Sequence, residues 1–285
     1  MNREKAKTIL HISVTEFGRW LRNSRIIILG VMLVFIHTLI ITTLEECAFM
    51  MGEPVSVLEA FTAMGNSGQI VLIVPVLFLV LMADFPQKGG IDYFYQIRCS
   101  KKVWIWGQIL FAVEATLFLA AFLVLSSSLM ILPNGKWSLE FSHAVTHFAT
   151  VFPERENSYL VRILPANLYH QMSLGEAAFH TLALMILYDL LLVLILLLSA
   201  LCNKKAAGVL TDFFLVVAGT VTSSVQMKSM WFFPMAHTIP WLHYEAYLSR
   251  EVFPLAGSYI YFIAGCIVLV ICCMAVSGKY QAGKA

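Results

Sequence analysis

Ionisable side chains inside long apolar stretches are the strongest chemical signal in this 285-residue sequence. They include His37, Glu114, Asp189 and Asp212, and no lysine or arginine lies in these stretches to neutralise a carboxylate. At 1.5 Å of rise per helical residue, His37, Glu114 and Asp189 each lie about 17–18 Å from the inner end of their stretch, and Asp212 lies nearer that end. A charge in the middle of a bilayer costs at least ~2.5–3.5 kcal/mol on insertion scales. These groups therefore either line a polar path, as candidates for translocation, or hydrogen-bond between helices.

Nucleotide hydrolysis by this chain is not expected, because the sequence contains no ATP-binding loop. The Gly-Lys pairs at residues 135–136, 278–279 and 283–284 are not followed by the Ser or Thr that would hold magnesium. No combination of nucleophile and base indicates a catalytic site. We therefore predict that the protein is not an enzyme by itself, and we predict no cofactor.

Two pairs of histidines are the remaining candidates for chemistry. His143 and His147 are four residues apart, but Ala144 stands where a metalloprotease helix has its glutamate. His237 and His243 lie in an aromatic segment that is typical of a membrane interface. We interpret these histidines as loop or interfacial residues and predict no metal site. A surface zinc site is the alternative for the second pair.

The apolar stretches themselves predict an all-α, polytopic membrane protein. Hydrophobic residues make up 59% of the sequence and charged residues 13%, and several runs are long enough to cross ~30 Å of hydrocarbon. We predict a single transmembrane domain over residues 1–285. Its six spans are predicted at about residues 26–44, 69–83, 103–132, 177–201, 206–225 and 256–276. The largely polar residues before the first span argue against a cleaved signal peptide.

The distribution of basic residues predicts which side of the membrane each segment faces. Of the 19 lysines and arginines, 14 lie in segments that we assign to the cytosol. The five assigned to the outside are Lys136, Arg155, Arg162, Lys228 and Arg250. By the positive-inside rule, both termini and residues 84–102 are cytosolic, and residues 133–176 and 226–255 are outer segments.

Residues 5–25 precede the first span and contain an amphipathic pattern. One helical stripe holds the apolar residues Ile9, Leu10, Val14, Phe17, Trp20 and Leu21. The opposite face holds His11, Thr15, Arg19 and Arg22. This pattern predicts an interfacial helix that lies in the inner headgroup layer of the membrane.

The loop at residues 84–102 is the longest charged interruption between the N-terminal segment and the large outer segment. Within it, Asp92 can cap a short helix over residues 93–97, which ends in a basic cluster at residues 98–102. The pattern is typical of a short aromatic helix on which a cytosolic partner would push. A loop that only sets the topology is the alternative interpretation.

Three segments suggest a family. They are Glu16–Arg22 before the first span, Asp84-Phe85-Pro86 at the exit from the second, and Tyr95–Gly107 leading into the third. Together with the order of the spans, they resemble the permease subunit of a bacterial type-2 ATP-binding-cassette (ABC) exporter. The large second outer segment and the acidic side chains inside the spans depart from the common pattern of that family.

The resemblance implies an ATP-driven exporter in which the 84–102 loop holds a coupling helix for a separate ATPase subunit. The residues expected at that contact are Tyr93, Phe94, Tyr95, Ile97 and Arg98. It also implies two permease subunits, identical or paired with a sister subunit, in a plasma membrane, here a bacterial inner membrane. Substrates in the family range from peptides and antibiotics to lipids and polysaccharides, and the sequence does not choose among them.

Gly219 and Ser223 form a small-residue face in the fifth span, because they are four residues apart. In such exporters the first and fifth spans commonly meet at the dimer centre. The resemblance therefore makes this face a candidate for dimer packing. Packing within the subunit is the alternative.

A second function from another class also fits the sequence. A proton- or ion-coupled secondary transporter would use Glu114, Asp189 and His37 as a relay through the membrane. Such transporters commonly have internal repeats and pairs of spans broken at matching positions. The sequence shows no convincing example of either, so we treat this function as the alternative.

Overall fold

A computed structural model of the protein describes residues 3–68, 70–87, 95, 97–245 and 250–277, which are mostly helical. Five of its helical stretches are long and apolar enough to cross a membrane: Ser24–Met51, Lys101–Asn134, Leu174–Leu201, Lys205–Ser224 and Leu255–Val276. Two further helices, Val57–Asn66 and Ile70–Leu81, reach that length together and are bent by 81° at their junction. The chain is therefore an all-α, polytopic membrane protein with five or six helices of spanning length.

The helices are numbered here in chain order. The first six are α1 Arg3–Leu21, α2 Ile27–Ile36, α3 Thr42–Met51, α4 Val57–Asn66, α5 Ile70–Met82 and α6 Lys101–Ile131. The last three are α7 Leu174–Leu201, α8 Lys205–Ser224 and α9 Leu255–Val276. Short helices occupy His143–Thr146, Phe148–Val151, Tyr159–Arg162, Ala166–Tyr169 and Pro234–Thr238. Two short strands, β1 Val55–Ser56 and β2 Gly135–Lys136, pair in parallel.

The helix boundaries agree closely with the predicted spans, except in the first span. There a 3-10 turn, α2, a π-helical turn at His37–Ile41 and α3 run on to Met51. The acidic residues at the end are accommodated on the helix, because Asn134 donates a hydrogen bond to Glu45 and Glu46 pairs with Arg155. Gly52 then ends the helix at φ 69°, a left-handed conformation that glycine adopts without steric cost.

α1 packs along α6 with part of the predicted apolar stripe, because Phe17 and Trp20 meet the ring of Phe118 edge-on, and with Ile12 beside the stripe. Its buried residues are Ile12, Ser13, Glu16 and Trp20. Leu10 and Val14 from the predicted stripe are exposed on the opposite side. Gly107 explains the contact, because a Cβ there would lie 2.5 Å from Cγ2 of Ile12. The helix thus has two apolar faces, one against α6 and one free to meet lipid.

α4 is buried inside the protein although it precedes the predicted second span. Its N-terminus is fixed by Glu59, whose carboxylate accepts hydrogen bonds from the backbone N–H of Ser56 and of Ser142. The β1–β2 pair ties the same end of the helix to Gly135. At the other end, Gly65 lets α4 approach α7, because a Cβ at Gly65 would lie 2.3 Å from Cγ2 of Thr181.

Candidate functional site

Two adjoining cavities lie between α4, α5, α7, α8 and the segments that we predict to be outer. The outer pocket, of about 340 Å³, is lined by parts of residues 67–71, 159–162, 220–224 and 235–242. The inner cavity, of about 30 Å³, has room for one or two water molecules. Val71 and Met235 line both cavities, so they lie between them.

The bend between α4 and α5 positions both cavities. Asn66 holds the bend, because its side-chain amide donates to Oγ1 of Thr181 at 2.9 Å and its backbone carbonyl accepts from Nε1 of Trp241 at 2.9 Å. Pro75 lies inside α5 and lines the inner cavity. It has no N–H, so the carbonyl of Val71 loses its usual helical donor. The bend thus places irregular backbone beside buried space.

Asp189 and Tyr188 of α7 line the inner cavity. Asp189 is 2% exposed and Asp212 of α8 is 0% exposed. Within the described ranges, no hydrogen-bond partner reaches Oδ1 of Asp189, either carboxyl oxygen of Asp212 or the Tyr188 hydroxyl. Both acids interact electrostatically with Tyr188. A buried carboxyl at this depth needs a proton, a water molecule or a cation to satisfy it.

The other two predicted path residues lie elsewhere. Glu114 accepts a hydrogen bond of 2.8 Å from Oγ of Ser13, so it belongs to the contact between α1 and α6. His37 begins the π-helical turn, and its side chain is exposed. Neither residue lines the outer pocket or the inner cavity. The structure places Asp189 and Tyr188 at the inner cavity and Asp212 near Tyr188, outside the lining of both cavities. It does not assemble the predicted relay of His37, Glu114 and Asp189. Nothing in the sequence singled out Tyr188.

The small-residue face of α8 is occupied within the chain. A Cβ at Gly219 would lie 2.6 Å from Cβ of Met235, so the Pro234–Thr238 helix requires glycine there. Ser223 is also turned inward and lines the outer pocket. The close contact that the sequence indicated is therefore an internal one. A dimer contact through Gly219 and Ser223 is not needed to explain it and stays a prediction.

The predicted coupling loop is described in part. Tyr93 and Phe94 lie outside the described residues. Ile97 is 85% exposed, and Arg98 beside it is exposed as well. Tyr95 points the other way: its hydroxyl donates to Oγ1 of Thr15 at 3.3 Å, and its ring meets that of His11 edge-on. Tyr95 therefore joins the loop to α1, and Ile97 is the apolar side chain left open to a partner.

The two histidine pairs have different surroundings. His143 and His147 are exposed, with their Nδ1 atoms 3.3 Å apart. His237 and His243 are buried in the protein, which does not fit a zinc site on the surface; their place at a membrane interface stays a prediction. Across the described residues, no group of three or more His, Cys, Asp or Glu could hold a metal ion.

His237 and His243 meet at one hydroxyl. Nδ1 of His237 and Nε2 of His243 lie 2.8 and 2.7 Å from Oγ of Ser258. Their other ring nitrogens face the carbonyls of Trp231 and Ile239, so those nitrogens carry the protons. Ser258 has one proton and can donate to one histidine only. Burial lowers the pKa of His243 to about 4 and also lowers that of His237.

Comparison of the chain with protein-family models, with curated proteins and with solved structures gave no match in any of the three. The assignment of function therefore rests on the geometry. The two cavities with Asp189 and Tyr188 form the candidate path, with Asp212 beside it, and the loop before α6 is the candidate contact with a partner.

Proposed function

We propose that this protein is the membrane-spanning permease subunit of an ATP-driven ABC exporter, coupled to a separate ATPase subunit through the 84–102 loop. The observation that carries the proposal is the set of contacts that joins this loop to α1 and to the turn before α2. Tyr95 bonds Thr15 of α1, and Asp84 at the exit of α5 pairs with Arg25 at 2.9 Å. A force on the loop would reach several helices at once.

α5 connects the predicted coupling side to the cavities. Near its inner end, Leu81 accepts a hydrogen bond from Nε1 of Trp20 at 3.4 Å, so α1 is attached there. Toward its other end, Val71 and Pro75 line the cavities. Docking of an ATPase on the loop would therefore shift α5 and change the space between Val71 and Met235. This gives the proposed coupling a structural route.

The proposal includes the topology and assembly that the sequence predicts. Both termini face the cytosol, and two permease subunits assemble in a bacterial inner membrane. The outer pocket then opens away from the cytosol, where an exported molecule would leave. The ATPase supplies the energy, so this chain needs no nucleotide site of its own.

The test is copurification of an ATPase subunit with the full chain, tagged and expressed in its native cells. Replacing the exposed Ile97 with Glu, together with Phe94→Ala, should reduce the recovered ATPase at least tenfold, because buried apolar anchors carry much of an interface energy. Lys102→Ala in the same loop is the matched control and should change recovery little, since rim charges contribute less. If no ATPase copurifies with the wild-type chain, the proposal fails.

One observation favours the proton- or ion-coupled secondary transporter as a second candidate. Transporters of that kind bind substrate and ion where a span is broken near the middle of the membrane. Here the bent α4–α5 pair lies beside Asp189 and the inner cavity. In that case the relay is Asp189, Tyr188 and Asp212. Uptake or export in vesicles that is driven by a proton or sodium gradient without ATP, and is abolished by Asp189→Asn, would favour this candidate.

A further inference from the structure

We infer that the outer pocket binds an anionic amphiphile, with its negative head at Arg162 and its apolar part toward Val71 and Met235. The inference rests on the proposed function in one respect: if the protein is an exporter, this pocket is the site from which the exported substrate leaves. Binding itself depends on the pocket alone. The two ideas can therefore fail separately.

The size and lining of the pocket suit such a molecule. A volume of about 340 Å³ falls at the lower end of the range for small-molecule sites. Its apolar wall is formed by Val71, Met235, Ile239 and Leu242. These side chains can cover a short hydrocarbon chain and offer it no polar contact. The pocket therefore has a distinct apolar part.

The polar part of the pocket carries one sign of charge. Arg162 is the charged residue of the lining, and no acidic residue lines the pocket. In the described part of the chain, Arg162 makes no ion pair. Its guanidinium offers a planar set of N–H donors that matches a carboxylate or a phosphate. The hydroxyls of Tyr159 and Ser67, 3.4 Å apart, lie in the same lining.

Ser223 provides an independent indication that the pocket is built for a ligand. On the same helix, Thr211, Thr220 and Thr222 each donate to the carbonyl four residues earlier. Ser223 is 5% exposed, and its Oγ has no hydrogen-bond partner among the described residues. A buried hydroxyl in a pocket wall without a partner in its own helix is available to a ligand.

The neighbouring inner cavity sets the orientation of the ligand. Asp189 lies beyond Val71 and Met235, with no cationic residue in the lining of that cavity. A negative head in this buried cavity would lose its water and find no cation to pair with. The same head is placed favourably at Arg162 near the mouth. The apolar end of the ligand therefore points inward and the head points outward.

Binding is tested with lauroyl-lysophosphatidylglycerol as the anionic probe and lauroyl-lysophosphatidylcholine as the zwitterionic one. The full chain is purified in a neutral maltoside detergent, and bound lysolipid is counted by native mass spectrometry across a titration. We expect the wild-type chain to prefer the anionic probe at least tenfold. Equal binding of the two probes, or no binding of the anionic one, would overturn the inference.

Three variants locate the binding in the pocket. Arg162→Gln should remove most of the preference for the anionic probe, and Ser223→Ala should weaken its binding about threefold to tenfold. Gly68→Leu should weaken both probes at least tenfold, because a Cβ at Gly68 meets no atom within 4 Å and a side chain there would fill the pocket. Lys228→Gln removes another exposed cation of the outer segments and is the matched control. An equal effect of Lys228→Gln would mean diffuse attraction and contradict the site.

The source of the ligand and the link to export are tested with the same protein. If decanoate displaces the lysolipid, the pocket takes anionic amphiphiles from water. If only the lysolipid binds, the pocket takes them from the outer leaflet of the membrane. Either result supports an anionic amphiphile as the ligand. The Ile97→Glu, Phe94→Ala variant should bind the probe normally. If the probe binds but no ATPase copurifies, the exporter proposal fails and the pocket stands. If an ATPase copurifies but the probe does not bind, the inference about the pocket fails and the exporter proposal stands.

Discussion

Glu114 and Asp189 lie at the same predicted depth in the membrane, but the fold surrounds them differently. Glu114 faces α1, where Oγ of Ser13 donates to its carboxylate at 2.8 Å. Asp189 faces the inner cavity, and the described residues give its Oδ1 no hydrogen bond. One acid joins two helices and the other lies beside open space. The depth of an acid along a helix therefore does not show its role; the element packed against it does.

Low pH should destabilise the region around the cavities more than the contact between α1 and α6, because the buried histidines lie near the cavities. We expect this to be the largest difference between the two regions. His243 has a pKa of about 4 in the fold against an ordinary value of 6.5, so the unfolded chain binds more protons between these values. Stability contributed by neutral His243 is present above pH 6.5 and is lost as the pH falls through about 4. The loss is on the order of 3 kcal/mol.

Hydrogen exchange as a function of pH measures this effect. Residues 231–245 should open in acid before α1 does, because the described parts of α1 and α6 contain no buried histidine. His243→Asn should flatten the pH dependence, and His147→Asn, at an exposed histidine, should leave it unchanged. Equal opening of α1 and residues 231–245 at every pH would contradict the assignment to His243.

Gly107→Leu should break the contact of Glu114 with α1. A Cβ at Gly107 would lie 2.5 Å from Cγ2 and 2.7 Å from Cβ of Ile12, so a larger side chain pushes α1 away from α6. Overpacking of this kind typically costs ~1–3 kcal/mol. The thermal unfolding midpoint in detergent should fall by several degrees, and Ile12→Ala should restore part of it. Gly18→Leu is the control, since a Cβ there meets nothing within 4 Å.

The free energy of unfolding should also respond differently to substitutions at the two acids or at their hydrogen-bond partners. Ser13→Ala removes the donor to half-buried Glu114 and should destabilise the protein by ~1 kcal/mol. Asp189→Asn breaks no hydrogen bond at Oδ1 and should change the unfolding free energy by less than ~0.5 kcal/mol. Denaturant unfolding in micelles measures both. A larger loss for Asp189→Asn would mean that this carboxylate is bonded in the folded protein.

Asp189→Asn and Glu114→Gln should have the smallest effect on assembly and ATP-driven transport. If the protein is the proposed exporter, the ATPase supplies the energy, so transport should persist at least in part in both variants. ATP-driven transport in vesicles, with ATP turnover measured alongside, tests this. Complete loss of transport with ATP turnover preserved in Asp189→Asn alone would favour the cation-coupled alternative.

The sequence by itself determined the membrane character and the approximate ends of the helices. Hydropathy is a local property, and a run of about 20 apolar residues must bury its backbone in a helix to cross a bilayer. The span prediction at residues 177–201 and the helix at Leu174–Leu201 agree for this reason. The helix that contains the first predicted span runs on past Glu45 to Met51, because Asn134, far along the chain, donates a hydrogen bond to Glu45 on the helix.

Only the tertiary structure decided which polar residues share a site. Ser13 and Glu114 are 101 positions apart, and Asn66 and Thr181 are 115 apart, so no local pattern could pair them. Periodicity shows that α1 has an apolar stripe, but it does not show which part of the helix contacts α6 and which part meets lipid. The close approach at Gly107 places Ile12 against α6. In a membrane protein both environments are apolar, so hydrophobicity alone cannot distinguish a face that packs against a helix from one that meets lipid.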